Sequence, residues 1–114
     1  MGSRREEYKN SDLPYSFSYK IRKAFYGERC PVCNAVMNGM IDGRFFRRNL
    51  MPSMQHNVPI ALGGKHELSN ISVICSWCNS SIGDHITGRL NNDLVVRKWG
   101  EINGRTQNVR KNNS

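Results

Sequence analysis

A small α+β domain with an undersized core is the fold class that the sequence predicts, and three observations predict it. The first is size: 114 residues, of which 38% are hydrophobic, allow one domain and a modest apolar interior. The second is a pair of tight motifs, Cys30-Pro31-Val32-Cys33 and Cys75-Ser76-Trp77-Cys78. The third is a change of period along the chain, with helical apolar spacing near both ends and a β-branched run leading into Cys75. A domain this lean needs a staple, and the cysteines are the residues to supply it.

Two Cys-x-x-Cys knuckles separated by a long insertion match an all-thiolate, four-coordinate zinc site. Cys30, Cys33, Cys75 and Cys78 are therefore expected to hold a structural zinc. The opening MGSRREEYKNSDL is polar, with no apolar run of the secretory kind, so the thiols are expected to stay reduced inside the cell, in cytoplasm or nucleus. Two disulfides in a secreted miniprotein is the rival reading, and a Cys-x-x-Cys redox protein a third. No stretch approaches the length of a membrane span. Lys plus Arg number 17 against 9 Asp plus Glu, a net charge of +8, which suits equally a polyanionic partner such as nucleic acid and a merely solubilising charge.

In chain order, residues 1–13 read as a disordered polar segment, 14–102 as a single domain with its core at 30–84, and 103–114 as a flexible basic tail. Phe17, Ile21, Ala24 and Phe25 predict a short amphipathic helix over 16–26, closed by Gly27, with Lys20, Arg22 and Lys23 on its polar side. The first knuckle follows. The stretch AVMNGMIDGRFFRRNLM reads as a loop or irregular hairpin whose Arg44, Arg47 and Arg48 stand beside Phe45 and Phe46, a composition that suits either nucleic acid or a core with solvated arginines. Ser53–His56 predicts a short strand, Gly63-Gly64 a turn in a long connection, and Asn70–Ile74 a second strand with Ile71 and Val73 on one face. A helix from Ser76 to about His85 opens on the second knuckle. A last helix over about 91–102, capped by Asn91 or Asn92, lays Leu94, Val95, Trp99 and Ile102 across the core. His66 and His85 read as filler.

His56-Asn57-Val58-Pro59, Gly63-Gly64, Leu68-Ser69-Asn70-Ile71 and Ile74-Cys75-Ser76-Trp77-Cys78-Asn79 together resemble the HNH endonuclease family over roughly residues 30–84. The family pattern is a histidine closing a first strand, an asparagine at the second, and a histidine or asparagine in the helix beyond. The resemblance implies a zinc-stapled ββα-metal fold with flanking helices, and a nuclease that nicks or cuts DNA, or RNA, by metal-assisted hydrolysis. It implies His56 as general base, Asn70 as the residue that orients the base, and Asn79 as a ligand of one Mg²⁺ or Mn²⁺ ion; an asparagine at Asn70 can do this by pinning the loop or the imidazole. The residue before the base is usually an acid or histidine that binds this ion, and here it is Gln55, whose carbonyl can ligate but brings no charge. Asp84 and Glu67 are the nearby acids. A zinc-stapled nucleic-acid-binding module without turnover is the alternative that Gln55 motivates. Arg44, Arg47, Arg48, Lys65 and Arg89 are the candidate phosphate contacts, and the oligomeric state is expected to be monomer or weak dimer.

Overall fold

Two five-residue strands, β1 (Pro52–His56) and β2 (Ile71–Cys75), pair antiparallel at the centre of the fold. Three helices complete it: α1 (Phe17–Ala24), α2 (Ser76–Ile82) and α3 (Asn92–Asn112). The computed structural model describes residues 11–38 and 49–112, those after Gly104 as backbone alone. The register sets Pro52 opposite Cys75, Met54 opposite Val73, Gln55 opposite Ser72 and His56 opposite Ile71. A two-stranded sheet is marginal alone in water. Here every residue of β2 is buried, and the helices pack around the pair. The α+β architecture expected from the sequence is the one observed.

The core is built where the apolar spacing put it. Phe17, Ile21 and Phe25 lie on one stripe of α1 and are fully buried, as are Ile71, Val73 and Ile74 of β2 and Val95 of α3. The Phe17 ring stands edge-on to Trp99 at 4.8 Å between centroids, an arrangement favoured by the ring quadrupoles. Arg22 and Lys23 occupy the last turn of α1, where positive charge suits the helix dipole. Gly27 then takes φ +96° and donates its N–H to the Met37 carbonyl, a left-handed turn that costs glycine little.

Four expectations are corrected. The chain is tied down before Pro14: Ser11 Oγ donates to the His66 carbonyl and Leu13 packs on the core, so order begins inside the segment read as disordered. Residues 1–10 of that segment lie outside the described residues. α2 ends at Ile82 instead of near His85, because Gly83 breaks it with φ +61°. α3 continues to Asn112, through most of the expected flexible tail. The apolar stripe that marked its end stops at Ile102, but helical backbone bonding needs no apolar face, and no proline intervenes. Finally, neither Asn91 nor Asn92 caps α3 with its side chain. Asn91 Oδ1 accepts from Val73 N and its Nδ2 donates to the Val73 carbonyl, while Asn92 Nδ2 donates to the carbonyls of Leu68 and Ile71. Both amides are spent on the side of β2 away from β1. Among the described residues, no helix is long and apolar enough to cross a membrane.

Candidate metal centre and active-site cleft

The two knuckles meet. Cys30 and Cys33 flank a tight turn closed by Asn34 N to the Cys30 carbonyl at 2.7 Å and Cys30 N to the Ala35 carbonyl at 2.8 Å, with Asn34 in the left-handed region at φ +67°. Cys75 ends β2 and Cys78 lies in the first turn of α2. The four sulfurs lie within 4.8 Å of one another and none is in a disulfide. Thiolates around a tetrahedral ion at ~2.3 Å give edges of ~3.8 Å, and Cys33 Sγ to Cys75 Sγ is 3.8 Å. Backbone amides already point at the sulfurs: Val32 N and Cys75 N donate to Cys30 Sγ, and Cys78 N to Cys75 Sγ. Burial pushes the Cys75 and Cys78 thiols up. Burial acts on Cys33 as well, but the Ala35 amide and the neighbouring sulfurs hold it below its ordinary range. Four sulfurs this close, backed by amide donors, suit one soft or borderline cation. Cys75 serves two elements at once, since its sulfur caps α2 by accepting from Cys78 N.

That cap fixes where α2 begins, and hence where Asn79 sits. A polar cavity of about 180 Å³ lies between β1 and α2, with Gln55, His56, Asn79 and Asp84 in its wall. Asn79 Nδ2 donates to Ser53 Oγ at 2.6 Å and to the Met54 carbonyl at 3.2 Å. A carbonyl can only accept, so these bonds orient the amide and use its nitrogen, leaving Oδ1 outside them. Gln55 is buried, and its Nε2 has no hydrogen-bond partner. An unpaired buried donor costs about 1–3 kcal/mol. Turning the amide over presents Oε1 instead, an oxygen that a hard cation could take. Gln55, Asn79 and Asp84 line the same cavity and carry side-chain oxygens, one of them a carboxylate, a chemistry that suits a hard divalent ion. Glu67 lies elsewhere, its carboxylate accepting from Ser69 Oγ.

His56 closes β1, half-buried, with Nε2 3.0 Å from Nδ1 of His66. His66 is buried and stands edge-on to Phe17, so the core supports the ring that meets His56. Strand and motif patterns leave His66 as filler and do not mark this contact. The turn at Gly63-Gly64 that carries the chain back towards β1 was the signal for it. Ser53, which anchors Asn79, left no signal. Asn70 pins the loop and not the imidazole: Oδ1 accepts from Val58 N, and Nδ2 donates to the carbonyls of Val58 and Lys65. Gly64 is required in the same place, because a Cβ there would stand 1.7 Å from the Val58 oxygen.

Of the candidate phosphate contacts, Lys65 is exposed, and Arg89 is exposed with its guanidinium on Asp93. An exposed pair of this kind is worth little and leaves the cation exchangeable. Arg44, Arg47 and Arg48 lie outside the described residues.

Residues 47–95 match the family model described as HNH endonuclease, a stretch that contains β1, β2, α2 and the whole cleft. The two-stranded sheet followed by α2 is the ββα arrangement expected of that family. No curated protein and no solved structure matches the chain.

Proposed function

We propose that this domain hydrolyses phosphodiester bonds of nucleic acid, nicking or cutting DNA or RNA, with His56 as general base. The observation that carries this reading is the convergence of Gln55, His56, Asn79 and Asp84 on one polar cleft inside the stretch that matches the nuclease family. His56 takes the proton of the attacking water. If its Nε2–H is directed at His66 Nδ1, the basic nitrogen of the neutral ring is Nδ1. His66 is then the residue that holds tautomer and ring angle. Gln55, Asn79 and Asp84 would hold an ion of the Mg²⁺ or Mn²⁺ class, which when bound would supply Lewis-acid stabilisation of the phosphate and the departing oxygen. The four-cysteine centre holds zinc and takes no part in the chemistry; it sets the start of α2 and so the position of Asn79.

Plasmid nicking in Mg²⁺ or Mn²⁺ tests this directly. Wild type is expected to convert supercoiled to open-circular DNA, and His56→Ala to lose that activity while keeping its zinc content. Full activity in His56→Ala would remove the general-base assignment. A second reading, a binding module without turnover, is favoured by the missing charge at Gln55, and DNA binding without cleavage in any divalent ion would select it.

A further inference from the structure

Helix α1 carries two stripes of different chemistry. The inner one, Phe17, Ile21 and Phe25, is fully buried. The outer one is Tyr19, Arg22, Lys23 and Tyr26, spaced i, i+3, i+4 and i+7 along the helix and the turn that follows it. These four, with Met51 and Pro52, line a groove of about 530 Å³ with no acidic residue among the described residues of its wall. Tyr19 is 60% exposed and Tyr26 47% exposed. The inner stripe already satisfies the core, so packing does not account for two large rings facing water. The Lys23 ammonium stands 5.6 Å from the centre of the Tyr19 ring, and Arg22 Nε is anchored on the Ser18 carbonyl. The aromatic faces and the cations are therefore presented side by side.

We infer that this outer stripe of α1 binds unpaired nucleotides, with bases stacking on Tyr19 and Tyr26 while Arg22 and Lys23 meet the adjoining phosphates. Every base has a π-face, so such a platform tolerates sequence, and interleaved cations neutralise the backbone. Placement supports the assignment. The groove reaches β1 at Pro52, and the cleft lies at the other end of the same strand, at His56, about 13 Å away at the rise of an extended chain. A strand resting on the tyrosines runs within a few nucleotides of the cleft. This inference depends on the nucleic-acid reading above and adds a preference within it: single-stranded over duplex.

The test is fluorescence anisotropy without divalent ions, using a labelled oligothymidine, an oligouridine of the same length, and a duplex of that length. The proteins are wild type, Tyr19→Ala/Tyr26→Ala and Tyr19→Phe/Tyr26→Phe, each checked for zinc content. The alanine pair is expected to bind the single strands about ten-fold more weakly or worse, with the duplex changed less than about two-fold, since its bases are stacked away. The phenylalanine pair is expected to bind like wild type, because a ring is needed and a hydroxyl is not. Unchanged single-strand affinity in the alanine pair overturns the stripe and leaves the nuclease reading standing. Loss in the phenylalanine pair equal to that in the alanine pair also overturns it, because the hydroxyls and not the ring faces would then carry the contact. Absence of binding to all three probes by wild type overturns both readings.

Discussion

The four-cysteine centre and the β1–α2 cleft stand at opposite ends of β1 and are built on contrary rules. At the cysteine centre the sulfurs converge and several already accept backbone amides. In the cleft a buried glutamine amide lacks a partner, and the Asn79 amide spends its nitrogen while its oxygen stays outside those bonds. The first arrangement needs one ion and then has nothing left to offer. The second keeps polar atoms in hand, at a cost in stability, for something that arrives later. The site that holds structure closes on itself, and the site proposed for chemistry stays incomplete.

The largest effect should follow from breaking the closed site. Cys75→Ser removes a metal ligand at the junction of β2 and α2 and leaves a hydroxyl that can still cap the helix, so the loss it reports is that of the metal. Thiolate zinc sites contribute on the order of 10–16 kcal/mol in apparent terms, and a 114-residue domain has about 5–15 kcal/mol in all. The variant is expected to lose its zinc and its cooperative thermal transition, read by elemental analysis and circular dichroism. A chelator strong enough to strip wild type should do the same. A folded, zinc-free Cys75→Ser protein would mean that the core suffices alone.

The open site should fail differently, in rate and not in fold. Loss of a general base costs about 10²–10⁴-fold, so His56→Ala should lose that much cleavage with its far-ultraviolet spectrum intact. His66→Ala should lose roughly ten-fold in kcat with KM unchanged, within the range that orienting contacts supply. His66→Gln, able to keep one hydrogen bond to His56, should recover part of it. Equal losses in kcat and thermal stability for both variants would reduce His66 to a packing residue.

Gln55→Asp sharpens the contrast further. Without divalent ions a buried carboxylate should lower stability by about 1–3 kcal/mol or more, and Mg²⁺ should restore it. Cleavage should then need less Mg²⁺ than in wild type. A variant equally unstable with and without Mg²⁺ would show that no ion reaches Gln55. Last, Asn70→Ala deletes three bonds to Val58 and Lys65 and should cost about 1–3 kcal/mol in urea unfolding, with any loss of activity recovered at lower temperature.

How much of this was legible in the sequence differs between the same two regions. Cysteine spacing encodes a knuckle almost completely, because two residues between two sulfurs leave few turns that aim both at one point; the pairing of Cys30–Cys33 with Cys75–Cys78 was accordingly readable. The order His56, Asn70, Asn79 was readable through a family resemblance. The partners of those residues were not. His66 meets His56 only because the 3₁₀ turn Ile60–Leu62 and the glycine turn after it bring it round, and Ser53 meets Asn79 across a strand–helix angle that no local pattern records. Asn91 and Asn92 illustrate another limit. An asparagine before a helix reads as a cap, and only packing decides that its amide goes to a strand instead.

The use of those two amides bears on how the protein behaves among its neighbours. A sheet of two strands ordinarily leaves each flank ready to recruit a foreign chain, the route by which small β proteins cross-link into fibres and precipitates. Along β2 that flank is occupied by Asn91 at Val73, by Asn92 at the Ile71 carbonyl and by Cys30 Sγ at the Cys75 amide, so the groups an intruding strand would seek there are already engaged. That side of the sheet is thereby closed to pairing with a second copy of the chain.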